Sequence, residues 1–206
     1  MSQDTITGKI SGKLPQDRSI LLVAVGSNMD SPSGTPAETI LSGVEGLRQR
    51  GAVIRAQSRF FQTPAFPPGA GPDFVNGALM LETGWTATEA LAHLHAVEAD
   101  LGRVRRARWG ARAIDLDLLA IGDTVQPDTA TVTRWMDLPL AQQQQKAPDR
   151  LILPHPRLHE RAFVLVPLAD IAPDWVHPIV GRSVRQMVDA LPADALAEIV
   201  PLSAPS

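Results

Sequence analysis

The sequence predicts an α+β fold, and three observations predict it: an unbroken apolar run near the start, two helix-start signatures, and further strand-length apolar runs set between and after them. Ser19 to Val25 reads SILLVAV and leaves into Gly26-Ser27-Asn28, the pattern of a buried central strand ending in a turn. Thr35-Pro36-Ala37-Glu38 is a capping box with proline at the first helical position. Ile40, Leu41, Val44 and Leu47 follow at helical spacing and make the first helix. Ala52 to Phe61 and Phe74 to Thr83 are the next two strands. In the second, Val75, Gly77, Leu79 and Leu81 fall on one face and Phe74, Asn76, Ala78 and Met80 on the other. The Pro/Gly stretch from Thr63 to Asp73 between them is a loop. Thr86 with Glu89 repeats the capping box, Leu91, Leu94, Val97 and Leu101 form an apolar stripe, and Gly102 stands at the C-cap of this second helix. Ala113 to Ile121 closes the series as a strand.

The resulting order, β-α-β-β-α-β, is that of the ferredoxin-like sandwich. Residues 122–150 lose periodicity and contain AQQQQKAPD, which predicts a solvated excursion with one short helix. Arg157 to Ile171 is expected to be helical and Ser183 to Ala190 to be a short terminal helix, so the sandwich carries a C-terminal helical extension. Residues 1–18 are expected to form a flexible tail, and 19–206 one domain.

A formal charge of −3 and a hydrophobic share of 44% are ordinary for a globular chain and point to neither nucleic acid nor membrane as a partner. The absence of cysteine rules out disulfides, thiolate metal sites and thiol nucleophiles. No signal-like apolar run or membrane-length apolar stretch is present, so a cytoplasmic location is expected, with a monomer as the default.

Sixteen Arg stand against three Lys, and Arg103, Arg105, Arg106, Arg108 and Arg112 fall close together. Arginine is the better bidentate binder of planar anions. Directly after them, Asp115 and Asp117 are two apart on a strand, roughly 6.6 Å between Cα atoms on one face, with Leu116 and Leu118 turned to the core. Ala113 is expected on the aspartates' face, leaving room there. Two close carboxylates repel unless cations neutralise them, and hard oxygen donors suit magnesium. An isolated Asp-x-Asp is more often a solvated pair; the adjoining arginines raise the case for a metal-bound polyphosphate. Arg112, an odd step from Asp115, must act from the loop. Neither a GxxxxGK[ST] cradle nor a GxGxxG turn occurs. His155 and His159 are separated by Pro156 and are read as hydrogen-bonding groups; His93 and His95 lie on different sides of the second helix. Phe74, Asn76, Thr63-Pro64 and Phe163 are aromatic, amide and hydroxyl groups of the kind a flat heterocycle needs.

The run GRVRRARWGARAIDLDLL at 102–119 resembles the signature of the 6-hydroxymethyl-7,8-dihydropterin pyrophosphokinase family. Gly26-Ser27-Asn28, Thr63-Pro64, Asp73-Phe74-Val75-Asn76, Leu153-Pro154-His155-Pro156 and Arg161-Ala162-Phe163 extend the resemblance over about residues 20–190. It implies transfer of pyrophosphate from ATP to the pterin hydroxymethyl group, leaving AMP, on a ferredoxin-like fold with two Mg2+ ions. By the same resemblance Asp115 and Asp117 would hold the metals, and Arg103 and Arg112 would clamp the phosphates. Glu98, Arg105, Trp109, Leu118, Arg150, His155 and Arg161 would line the ATP site. Phe74 and Phe163 would stack the pterin, with Thr63, Pro64, Phe66 and Asn76 at its edge. Phe74 stands where the family often has Tyr, the arginine loop is one residue shorter, Pro156 replaces an aromatic or polar residue, and the 122–150 excursion is longer than usual.

Two other readings fit parts of the pattern. An RNA-binding module shares the element order, but the strands lack its pattern of exposed aromatics and the net charge is negative. An inactive relative would keep the fold, yet both aspartates and both key arginines are present.

Overall fold

The computed structural model describes residues 18–65, 71–102, 113–139, 142 and 146–202. The expected tail lies outside these except for Arg18, whose Nη1 meets Glu82 Oε1 at 3.4 Å. The first half runs β1 (Ser19–Ser27), α1 (Pro36–Gln49), β2 (Val53–Gln57), β3 (Phe61–Thr63), β4 (Phe74–Thr83), α2 (Ala87–Asp100) and β5 (Asp115–Ile121). α3 (Thr129–Met136), α4 (Ala162–Ile171), α5 (Val184–Asp189), α6 (Ala193–Ala197) and β6 (Val200–Pro201) follow. Both expected capping boxes are present: the Thr35 and Thr86 hydroxyls accept from Glu38 and Glu89 N–H, and the glutamates accept from the two threonine N–H groups at 2.8 Å. Gly102 ends α2 at φ 83°, where a β-carbon would be strained.

Among the described residues the strands order as β5-β1-β4-β3-β6, with β2 beside β3 on the outer edge of β4. All the pairings are antiparallel. β1 is central, as expected. One face carries Leu21, Val23, Leu79, Leu81, Leu116 and Leu118 and is covered by α1 and α2 through residues such as Ile40, Val44, Leu47, Leu94 and Val97. The other face carries Leu22, Ala78, Leu119 and Ala120 and is covered by the C-terminal extension through Leu158, Val164, Leu165, Leu168, Val184 and Met187. A register shift between Leu22 and Val23 lets the neighbours Leu119 and Ala120 both join this second cluster. The first cluster is the sandwich core; the second is a separate layer.

The expected strand at 52–61 is two strands. Ser58 interrupts it: its N–H donates to Ala78 O at 2.9 Å while its hydroxyl accepts from Ala78 N–H at 2.8 Å, a side chain standing in for a ladder carbonyl. Arg59 then turns outward onto Asp170 of α4, with Nε and Nη2 at 2.9 and 2.8 Å from its two oxygens. The expected helix at 157–171 also starts late. His155 Nδ1 accepts the Arg157 N–H at 3.1 Å, Leu158–Glu160 form a 3-10 turn, and Arg161 is extended at φ −98° and ψ 112° before α4 begins. α5 takes the place of the expected terminal helix but does not end the fold. α6 and β6 follow it, and β6 pairs with β3 at Phe61–Pro201 and Gln62–Val200. A two-residue strand containing proline has no periodicity to read. Among its described residues the excursion holds a short helix, α3, in line with the expectation.

His177 is fully buried, and its Nδ1 accepts N–H bonds from Ile179 and Val180 at 3.2 Å. Burial, reinforced by His159, pulls its pKa down to about 4. The folded state therefore resists a proton that the unfolded chain accepts near its ordinary 6.5, so this stabilisation is complete above that pH and is lost as pH falls toward 4. Thermal melts between pH 7 and 4 should show stability falling by at most about 1.4 kcal/mol per pH unit from this group. His177→Asn, which keeps a local acceptor but cannot titrate, should flatten the slope; an unchanged slope would show that other groups govern it.

Candidate active site

In the β1–β5 ladder Gly26 opposes Asp115 and Ala24 opposes Asp117, and in the β1–β4 ladder Gly26 opposes Asn76 and Ala24 opposes Ala78. Opposed residues of antiparallel strands share a face. Asp115, Asp117 and Asn76 thus look toward the side of Leu22 and Ala78. Both aspartates are half-buried, while Leu116 and Leu118 pack beneath α1 and α2 as expected. Ala113 precedes β5, which starts at Asp115, and its carbonyl accepts the Ser27 hydroxyl at 2.6 Å. The two small residues of β1 add little side-chain bulk beside the carboxylates.

β5 is an outer strand of the sheet and needs a partner for its free edge. Glu98, 2% exposed on α2, supplies one by accepting the Leu116 N–H at 2.8 Å. Farther along the same edge, Leu119 O accepts the His155 N–H at 2.7 Å, which brings the Pro154-His155-Pro156 segment against the strand. A cleft of about 560 Å³ opens between these elements, and Glu98, Asp117, Leu118, Arg150, His155 and Arg161 all line it. Residues far apart in sequence are thereby brought to one cavity. Arg150 is exposed at 64% and pairs with Asp149 at 3.3 Å.

The electrostatics differ along the cleft. Burial, with Arg161 and Arg157 nearby, pulls His155 down to about 3, so its ring is neutral at physiological pH. Because Nδ1 is already an acceptor, the ring proton sits on Nε2. Burial also lowers the Arg161 guanidinium from its ordinary range, and Asp117 is the leading opposing influence. Arg161 lies 5.6 Å from the centre of the Phe163 ring, joining the charged region to the aromatic one.

Asn76 and Thr63 meet directly, Asn76 Nδ2 donating to Thr63 Oγ1 at 2.7 Å. A β-carbon on Gly26 would sit 2.7 Å from Asn76 Oδ1 and 3.7 Å from Phe74 Cδ1, so this glycine permits the close approach of both groups. Phe163, in the first turn of α4, packs against the cluster on that same side of the sheet. Pro64 and Thr63 border a smaller hollow of about 280 Å³ with Glu198 and Val200. Phe66, Arg103, Arg105, Trp109 and Arg112 lie outside the described residues, as do Arg106 and Arg108.

The cleft also takes in Leu91, His95, Trp135, Lys146 and Arg157, which sequence reasoning left aside. Leu91 is part of the α2 stripe, and the stripe alone does not tell core from cleft. Trp135 was the more legible signal, a large indole inside an otherwise polar excursion.

Residues 22–173 match the family described as 7,8-dihydro-6-hydroxymethylpterin-pyrophosphokinase. A 2-amino-4-hydroxy-6-hydroxymethyldihydropteridine pyrophosphokinase of Synechocystis is 33% identical over 91% of this chain and 84% of its own length. One of Pseudomonas aeruginosa is 34% identical over 86% of this chain and 94% of its own. A crystal structure of Plasmodium falciparum HPPK-DHPS superposes with a TM-score of 0.56 at 12% identity, a likeness of fold. It covers 84% of this chain and 44% of that one, so this chain spans less than half of that protein.

Glu98→Ala removes the acceptor of a buried N–H. It should cost about 1–3 kcal/mol of unfolding free energy, read from urea denaturation. A loss within error of zero would mean that Leu116 finds another partner.

Proposed function

The chain belongs to the 7,8-dihydro-6-hydroxymethylpterin-pyrophosphokinase family, and we propose that the open end of the sheet and its adjoining cleft are where that family's chemistry is carried out. The reaction is pyrophosphate transfer from ATP to hydroxymethyldihydropterin in folate synthesis. The observation that carries the site assignment is the pairing of Asp115 and Asp117 with Gly26 and Ala24, which sets two carboxylates side by side next to a cleft holding Arg161 and His155.

The donor set fits magnesium. Among the described residues no group of three or more His, Cys, Asp or Glu could hold a metal, so water and phosphate oxygens would complete the coordination of an ion on these carboxylates. Two Mg2+ ions on Asp115 and Asp117 would neutralise charge on the transferred phosphates. The pterin hydroxyl oxygen bonds to the β-phosphorus of ATP, the bond from that phosphorus to the oxygen bridging to the α-phosphate breaks, and AMP leaves as the hydroxyl proton is released. Arg161 holds positive charge beside Asp117, and the neutral His155 offers its Nε2 proton as a hydrogen bond without competing as a base. Glu98, Leu118 and Arg150 are assigned to the nucleotide with Arg105 and Trp109. Arg103 and Arg112 are assigned to the phosphates on sequence alone. Thr63, Pro64, Phe66 and Asn76 are assigned to the pterin edge, with Phe74 and Phe163 on its faces.

Residues 19–206 are read as one domain because both apolar clusters are built on the same sheet. The chain is read as a monomer. Among the described residues no helix is long and apolar enough to cross a membrane, and a reaction consuming ATP fits a cytoplasmic setting. The RNA-binding alternative asks for an open sheet face, and here α4 and α5 cover part of it.

Protein mixed with Mg2+, ATP and the hydroxymethyl dihydropterin should release AMP; ADP as the product would overturn the reading. Asp117→Ala should abolish that release with little change in thermal midpoint, since its carboxylate looks away from the sandwich core, and normal turnover would remove Asp117 from the site. Gly26→Ala should displace Asn76 from Thr63 and raise the pterin KM about three- to ten-fold, the equivalent of one lost hydrogen bond, while leaving the ATP KM unchanged. Parallel changes in both constants would argue against Asn76 at the pterin edge.

A further inference from the structure

We infer that Trp135, carried on the excursion, is the wall of the cleft against which the flat base of ATP stacks, an assignment that rests on the cleft being the ATP site. The excursion is tied at its base, where Gln126 and Leu153 exchange both backbone hydrogen bonds at 2.9 Å. α3 starts on Asp128, which accepts the Thr131 N–H at 2.8 Å. The far end of the helix is held by Arg157, 13% exposed, whose Nη1 donates to Met136 O at 3.0 Å and Leu138 O at 3.3 Å and whose guanidinium also pairs with Glu160. Trp135 immediately precedes the first of those carbonyls, so its backbone is fixed to the segment that carries His155.

The indole is half-buried and lines the cleft, yet it belongs to neither of the described apolar clusters. Its neighbours in the lining include Leu91, Leu118, Pro148 and Pro156, an apolar set, whereas Asp117 and Arg161 supply charge to the same cavity. A lining that combines an indole and apolar side chains with charged groups offers both kinds of contact that a nucleoside triphosphate needs. An indole face stacks on a planar base without needing hydrogen bonds to its edge. Arg157, which holds the end of α3, is a positioning residue for Trp135.

The test compares ATP with inorganic tripolyphosphate, which has the phosphates and lacks the base, by calorimetric titration of the full chain with Mg2+. Trp135→Ala should weaken ATP roughly ten-fold and leave tripolyphosphate unchanged. Trp135→Phe should recover most of the loss. Trp135→Leu, which keeps apolar volume without an aromatic face, should behave like the alanine variant and answers the question if that variant fails to fold. The ATP KM should follow the titrations while the pterin KM stays put. Unchanged ATP affinity, or equal weakening of both ligands, overturns the stacking assignment. A native chain that binds ATP with the expected dependence on Trp135 but forms no AMP would leave this assignment standing and overturn the reaction instead.

Discussion

The antiparallel alignment of β1 with β5 is the constraint on which the site depends. A strand sends successive side chains to opposite faces, so a slip of one residue would turn Asp115 and Asp117 into the sandwich core and Leu116 and Leu118 out of it. Burial of those leucines under α1 and α2 opposes such a slip, because the apolar surface they remove from water would be exposed and two carboxylates desolvated. The register that fills the core is therefore the one that presents the acids. The same register sets Ala24 and Gly26 opposite the aspartates, and Gly26 in turn gives Asn76 room to reach Thr63.

The sheet has one face covered by the sandwich helices and a second that the C-terminal extension covers in part. The acidic and polar groups of the candidate site lie on that second face. Arg161 is extended between the 3-10 turn and α4, with its guanidinium over the Phe163 ring and Asp117 as the leading influence favouring its charge. His155, bonded through its backbone to β5 and through Nδ1 to Arg157 N–H, stays neutral because burial and two nearby guanidiniums disfavour a further positive charge. A polar pocket of this kind is stable only when its groups are partnered, and the pairings seen here come from segments distant in sequence.

Both outer margins of the sheet are managed by added segments. Glu98 and the His155 segment occupy the exposed side of β5, and β6 pairs with the short β3 that carries Thr63, with Leu202 N–H continuing to Phe60 O at 2.8 Å. Unpaired strand edges invite association with other chains. Here their partners also border the cleft or the hollow beside Thr63.

Sequence alone determined what depends on local pattern: the central strand, both capped helices, the alternation along β4 and the shared face of the two aspartates, because periodicity and capping act over a few residues. The resemblance supplied the candidate residues, and of those described, Glu98, Asp117, Leu118, Arg150, His155 and Arg161 converge on one cavity. Tertiary structure decided the rest. The break at Ser58 needs Ala78 as its partner, and β6 exists only by pairing with β3. The place of Trp135 was set by Arg157 clamping α3 and by the hydrogen bonds that tie the excursion at its base. Contacts across such sequence separations leave no local period, so they become visible only when the chain has closed on itself.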